Sequence, residues 1–151
     1  MASYSVERST TINAPAPRVH GLVDDFHHWT EWSPWEDLDP ELHRTYSGPD
    51  QGVGAHYAWT GNRKAGAGSM EITASTPAEI VIALAFLKPF KSTSTTLFEL
   101  AADGEQTAVT WRMTGEQTGL MAVFGRFMNM DKLIGPDFEK GLARLKAAAE
   151  G

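Results

Sequence analysis

The sequence contains no cysteine, which excludes a disulfide scaffold, a thiolate metal centre and a cysteine nucleophile, and is compatible with a reducing cytoplasm. It also lacks a long apolar run. The longest, Ile80 to Leu87, has eight residues, against the ~20 that a membrane-spanning helix needs. Residues 1–8 carry no apolar stretch of signal-peptide type. A soluble cytoplasmic protein with no membrane insertion is therefore expected. Basic residues are few and scattered: 13 Lys and Arg against 19 Asp and Glu, a formal charge of −6. Residues 1–50 hold nine of those acids and only three bases, while the remaining two thirds are near balance. No basic stripe exists to neutralise phosphates, so a nucleic-acid partner is not expected. Internal repeats and low-complexity blocks are absent as well.

What is present is 151 residues with 42% hydrophobic and 21% charged side chains. That is one globular domain, 1–151, large enough to bury a real core without staples. Tyr4 to Ile12 reads as a strand and stops at Asn13-Ala14-Pro15. Asn13 can cap a helix, and a first-turn proline loses no hydrogen bond. Val19, Leu22, Val23 and Phe26 recur at helical spacing, which predicts a short helix over 15–25 and a second helical turn over 26–31. From about residue 41 to 117 the composition turns β-branched and aromatic, punctuated by Gly, Pro and Asp. Strands are predicted over 42–46, 54–60, 69–76, 79–87, 93–100 and 107–115. Their short connections imply antiparallel neighbours. The chain closes on an apolar stripe of Met130, Leu133, Ile134, Phe138, Leu142 and Leu145, with Gly135-Pro136 expected to kink or restart the helix. The fold class is α+β: a seven-stranded antiparallel sheet, two short helices after the first strand, and a long C-terminal helix.

Alternation assigns the strand faces. Val109, Trp111 and Met113 share one side with Tyr57, Trp59, Met70, Ile72, Ile80, Ile82, Leu84, Phe86, Phe98 and Leu100. Glu71, Thr73, Thr95 and Glu99 share the other. One wet and one dry face describes an antiparallel sheet covered on a single side. The dry face is rich in aromatic and methionine side chains, which pack well as a core but also adapt to irregular apolar ligands. An empty ~300 Å³ cavity, at ~24 cal/mol per Å³, would lower stability by about 7 kcal/mol. Such a pocket must therefore hold water or ligand, or close.

Several segments together resemble the polyketide cyclase/dehydrase-like proteins of the START-like (SRPBCC, helix-grip) superfamily. They are Ile12-Asn13-Ala14-Pro15, Trp32-Ser33-Pro34-Trp35, Tyr46-Ser47-Gly48-Pro49 with Gly52 and Gly54, Trp59-Thr60-Gly61-Asn62 with Gly66 and Gly68, and the closing stretch Met130 to Leu142. The resemblance covers nearly the whole chain. It implies a helix-grip fold, in which the sheet wraps around the C-terminal helix with an apolar cavity between them. It implies an activity only weakly, since relatives include cyclases, lipid carriers and hormone receptors.

On this basis the expected ligand-lining residues are Trp32, Tyr57, Trp59, Met70, Phe86, Phe98, Trp111, Met113, Phe124, Phe127, Met128, Leu133 and Phe138. The expected ligand is a lipid, an isoprenoid or an aromatic compound, with no cofactor and no metal. His27 and His28 are adjacent and diverge. His20 and Asp24 share a helix face, more simply read as solvated surface than as ligands. His43 and His56 read as exposed. Gly66-Ala67-Gly68 lacks the following helix that a phosphate cradle needs, and reads as a hairpin cluster. Ser94 and Thr96 stand out as polar residues on the dry side. Tyr57 is the one weak catalytic candidate, as a phenol that could protonate a carbonyl. Trp29, Trp32 and Trp35 either pin the early helices or gate the cavity. Non-enzymatic binding is favoured. A polyketide cyclase or dehydratase acting in the same cavity is the alternative, and an interaction module without a ligand comes third. A homodimer is left open.

Overall fold

The computed structural model describes residues 2–34, 41–62, 66–88, 92–117 and 130–151. Seven strands form where β-branched and aromatic residues alternate with polar ones: β1 (Ala2–Ile12), β2 (His43–Ser47), β3 (His56–Thr60), β4 (Ala67–Thr76), β5 (Glu79–Lys88), β6 (Ser92–Asp103) and β7 (Gln106–Gln117). They make one antiparallel sheet in the order β1-β7-β6-β5-β4-β3-β2. After β1 come α1 (Ala16–Asp24) and a short 3-10 helix, Phe26–Glu31. The C-terminal helix α2 spans Met130–Glu150. At 21 residues and ~1.5 Å per residue it is ~30 Å long, enough to cross the sheet. This is the helix-grip arrangement.

The strand faces follow the alternation. Val6, Ile72, Ile80, Ile82, Phe98, Leu100, Val109, Trp111 and Met113 are buried, whereas Glu71, Thr73 and Thr95 are exposed. On the outer face Arg112 bridges Glu7 (Nε to Oε1, 2.7 Å) and Glu99 (Nη1 to Oε1, 3.0 Å). The hydrogen bond and charge of Glu7, then Glu99, raise the guanidinium pKa further above its already high value. The β6–β7 turn places Gly104 at φ 64° between the paired Asp103 and Gln106, which is the glycine-first geometry of a tight hairpin.

Three local expectations are corrected. Of the kink or restart expected at Gly135-Pro136, the restart does not occur, since α2 runs through as one helix. The missing N–H is outweighed by packing on both sides: Arg8 lies directly against Gly135, and Phe138, Leu142 and Leu145 are buried beyond the proline. Asn13 does not cap α1. The cap position is Pro15 with no side-chain bond, and the Asn13 N–H instead donates to Glu150 Oε2 at 2.8 Å. Finally, Ala67 and Gly68 belong to β4, not to the hairpin loop.

The C-terminal end of α2 is clasped rather than frayed. Arg18 donates to the carbonyls of Ala148 (3.2 Å), Gly151 (3.1 Å) and Ala149. These are carbonyls a helix end leaves without partners, at the negative end of its dipole. Lys146 Nζ binds both the Thr11 carbonyl (3.0 Å) and Glu150. The helix is thereby fixed against β1 and α1.

Candidate functional site

Register divides the concave face into transverse rows. Phe98, Trp111 and Ile80 share one row, and Ile72, Ile82, Thr96 and Met113 the next. Beyond them run Tyr46, Tyr57, Met70, Leu84, Ser94 and Gly115, and at the far end Trp59, Gly68 and Phe86.

The first row is filled solid. Phe138 of α2 stacks on Trp111 with ring centroids 4.1 Å apart and planes 7° apart. Phe98 stacks on the same indole at 4.9 Å, and Trp32 meets it edge-on at 5.6 Å. A Cβ on Gly141 would lie 2.7 Å from Trp111 Cζ3 and 2.9 Å from Pro34 Cδ, so only glycine lets α2 approach this closely. Trp29 and Trp32 are buried, and their indole N–H groups donate to Val23 O and Leu22 O, both at 2.9 Å. They pin the 3-10 helix beneath α1. An exposed tryptophan patch, on which an interaction module would rely, is not formed by these two. Trp35 lies outside the described residues.

The far rows are different. Trp59 and Phe86 meet edge-to-face at 5.7 Å across Gly68 and are only partly buried. A Cβ on Gly68 would strike the Trp59 ring. Tyr57 stacks on Trp59 at 6.0 Å and contacts Tyr46 at 5.2 Å. In the same row the Ser94 hydroxyl is buried and has no hydrogen-bond partner among the described residues. Across β7 from it stands Gly115, which adds no side chain. The face therefore pairs an aromatic lining with a hydroxyl that has no partner among the described residues.

Comparison with known proteins places this arrangement. Residues 3–150 match the family described as polyketide cyclase / dehydrase and lipid transport. The chain belongs to that family. No curated protein matches it. Among solved structures, the Zhui aromatase/cyclase of a Streptomyces species superposes with TM-score 0.70 at 15% identity, covering 99% of this chain and 94% of that one. A Chromobacterium violaceum protein gives 0.68 at 14% identity, with 97% and 98% coverage. A Mycobacterium smegmatis protein gives 0.64 at 18%, with 95% and 89%. At these identities the likeness is one of fold.

Within this family member the expected lining residues fall into three groups. Tyr57, Trp59, Met70 and Phe86 come together on the far rows. Trp32, Phe98, Trp111, Met113 and Phe138 belong to the packed rows. Phe124, Phe127 and Met128 lie outside the described residues, as does the side chain of Leu133. His20 and Asp24 do share a face, but not as solvated surface. Ser75 Oγ donates to Asp24 Oδ1 at 2.7 Å and lies 3.3 Å from His20 Nε2, a polar clasp between α1 and β4. Sequence reasoning passed over Tyr46, which β2 pairs directly with Tyr57. Its place in the β2 alternation was the available signal. No metal-binding group of three or more His, Asp or Glu occurs among the described residues, and none of their helices is long and apolar enough to cross a membrane.

Proposed function

We propose that this single-domain protein binds a small hydrophobic molecule carrying one polar group, seated on the far rows of the concave face. Trp59, Tyr57, Met70 and Phe86 supply its apolar contacts, and the polar group meets Ser94. The observation that carries this reading is the buried, unpartnered Ser94 hydroxyl beside half-buried aromatics. A buried hydroxyl without a partner costs about 1–3 kcal/mol unless something satisfies it. Membership of a family whose description joins cyclisation, dehydration and lipid transport supports an apolar ligand. A lipid, an isoprenoid and an aromatic compound all fit this chemistry.

Native mass spectrometry of freshly purified protein, followed by fluorescence titration with an anilinonaphthalene probe and displacement by a medium-chain fatty alcohol, tests the proposal. Trp59→Ala is expected to weaken probe binding by about tenfold or more, the equivalent of ~1.4 kcal/mol of lost contact. Protein that carries no ligand and takes up no apolar probe would overturn it. A catalytic use of the same face is favoured by Tyr57, whose ring lies in the row of Ser94. A cyclase or dehydratase would lose turnover in Tyr57→Phe while keeping its binding.

A further inference from the structure

Strand β2 brings a positive charge onto the concave face. Along β2, Arg44 and Tyr46 are half-buried, while His43, Thr45 and Ser47 are exposed. Alternation thus puts Arg44 on the side of Tyr46, whose ring contacts Tyr57 at 5.2 Å. Register sets Arg44 directly opposite Trp59, in the far row with Gly68 and Phe86. The Arg44 Nε is buried, although β2 is an edge strand of the sheet. Among the described residues neither far row contains an acid. The sequence as a whole carries −6, so a cation set among these aromatic side chains runs against the charge of the molecule. Arg8, on the same side of β1 at the opposite edge, is engaged by Glu139 of α2 at 3.1 Å.

A guanidinium is always charged and offers five N–H donors in a planar fork that matches the two oxygens of a carboxylate. It can serve a protein acceptor and still present donors to a ligand. A phosphate monoester, with close to two negative charges, would leave one of them facing aromatic rings, whereas a carboxylate brings a single charge. Arg44 and Ser94 are two separated polar points on the same face. Ser94 lies on β6, four strands across from β2 and one row further in. At ~4.8 Å between strands that is about 19 Å along the sheet, and the length of the two inward-directed side chains shortens the span. Tyr57, Met70 and Leu84 lie between them.

We propose that the ligand of the concave face is an elongated carboxylic acid. Its carboxylate is held by the Arg44 fork at the β2 edge, and its apolar body lies over Trp59, Tyr57 and Met70. Its other end carries the hydroxyl or carbonyl that meets Ser94, which makes it a hydroxy or keto acid. This rests on the binding reading given above and adds the acid group to it. Arg44 is then the residue that selects acids over neutral molecules of the same shape.

Isothermal titration calorimetry of the full chain at neutral pH with dodecanoate, 1-dodecanol and 12-hydroxydodecanoate, each kept below its aggregation limit, tests the proposal. The wild type is expected to bind dodecanoate about tenfold or more tighter than dodecanol, the step that a charge-assisted bidentate pair supplies, and the hydroxy acid tighter still. Arg44→Gln should abolish the preference for dodecanoate over dodecanol. Arg44→Lys keeps the charge without the fork and should retain part of it. Arg8→Gln removes the cation at the other edge and should leave the preference whole. Ser94→Ala should remove the advantage of the hydroxy acid over dodecanoate. Equal binding of dodecanoate and dodecanol by the wild type, a comparison that needs no variant to fold, would overturn the acid inference and leave the binding face standing. So would a preference that survives in Arg44→Gln. Uptake of none of the three would overturn both.

Discussion

At Gly141 and Gly68 the missing side chain is what lets the aromatic groups take their places. Gly141 brings α2 down onto Trp111 and Pro34, and Gly68 leaves the surface on which the Trp59 indole lies. The two sites differ in consequence, because the first closes the packed end and the second shapes the open one. Gly141→Ala forces a methyl into a gap already at van der Waals limit, with rigid ring atoms as neighbours. Thermal and urea denaturation are expected to show a loss of about 1–3 kcal/mol, the usual scale of overpacking, although alanine is the better helix former. A gain in stability would mean that α2 does not sit this close. At Ser94 the opposite sign is expected. Ser94→Ala removes a buried hydroxyl with no partner, so ligand-free protein should gain about 1 kcal/mol while affinity for an alcohol ligand falls.

Among the elements, α2 carries the most testable physics. Pro136 lies in its interior, exposed, where it deletes one intrahelical bond. Pro136→Ala restores that bond without touching the packed face, and should raise stability by about 1–3 kcal/mol in chemical denaturation. No gain would mean that the helix is broken there in solution. The far end depends on charge. Lys146 and the Asn13 N–H hold the Glu150 carboxyl below the ordinary glutamate pKa. A carboxylate depressed in the folded state stabilises it above the unfolded-state pKa, and that contribution disappears as pH falls through the folded value. Stability should therefore decline on acidification through the lower part of the carboxylate range. Glu150→Gln should flatten that decline while lowering stability at neutral pH, as read by melting curves across pH.

For the molecule as a whole, the two ends of the concave face differ in how fully their side chains are buried. Trp32, Phe98, Trp111 and Phe138 pack ring against ring at one end, while the unpartnered Ser94 hydroxyl and the half-buried rings of Trp59 and Phe86 lie toward the other. A ligand binding only the folded state should raise the melting temperature as its concentration rises, by the equivalent of about 2.7 kcal/mol at a hundred times its Kd. A calorimetric scan with and without a fatty alcohol measures this. No shift at saturation would count against the binding face.

The strand order of faces, the element sequence and the apolar stripe of α2 were legible in the chain itself, because side-chain alternation and helical spacing are local properties. The same locality explains the readable Val109-Trp111-Met113 face and the helix before Asp24. What the chain alone left undecided was which aromatics meet one another. Trp32 and Trp111 read as lining residues just as Tyr57 and Trp59 did, yet they lie 79 positions apart, and only the sheet register and the close approach at Gly141 bring them into contact. The clasp of His20, Ser75 and Asp24 was hidden for the same reason. Hydrophobic pattern specifies a face, but contact across that face depends on how far each strand and helix is shifted against its neighbours. That is settled only when the whole chain has packed.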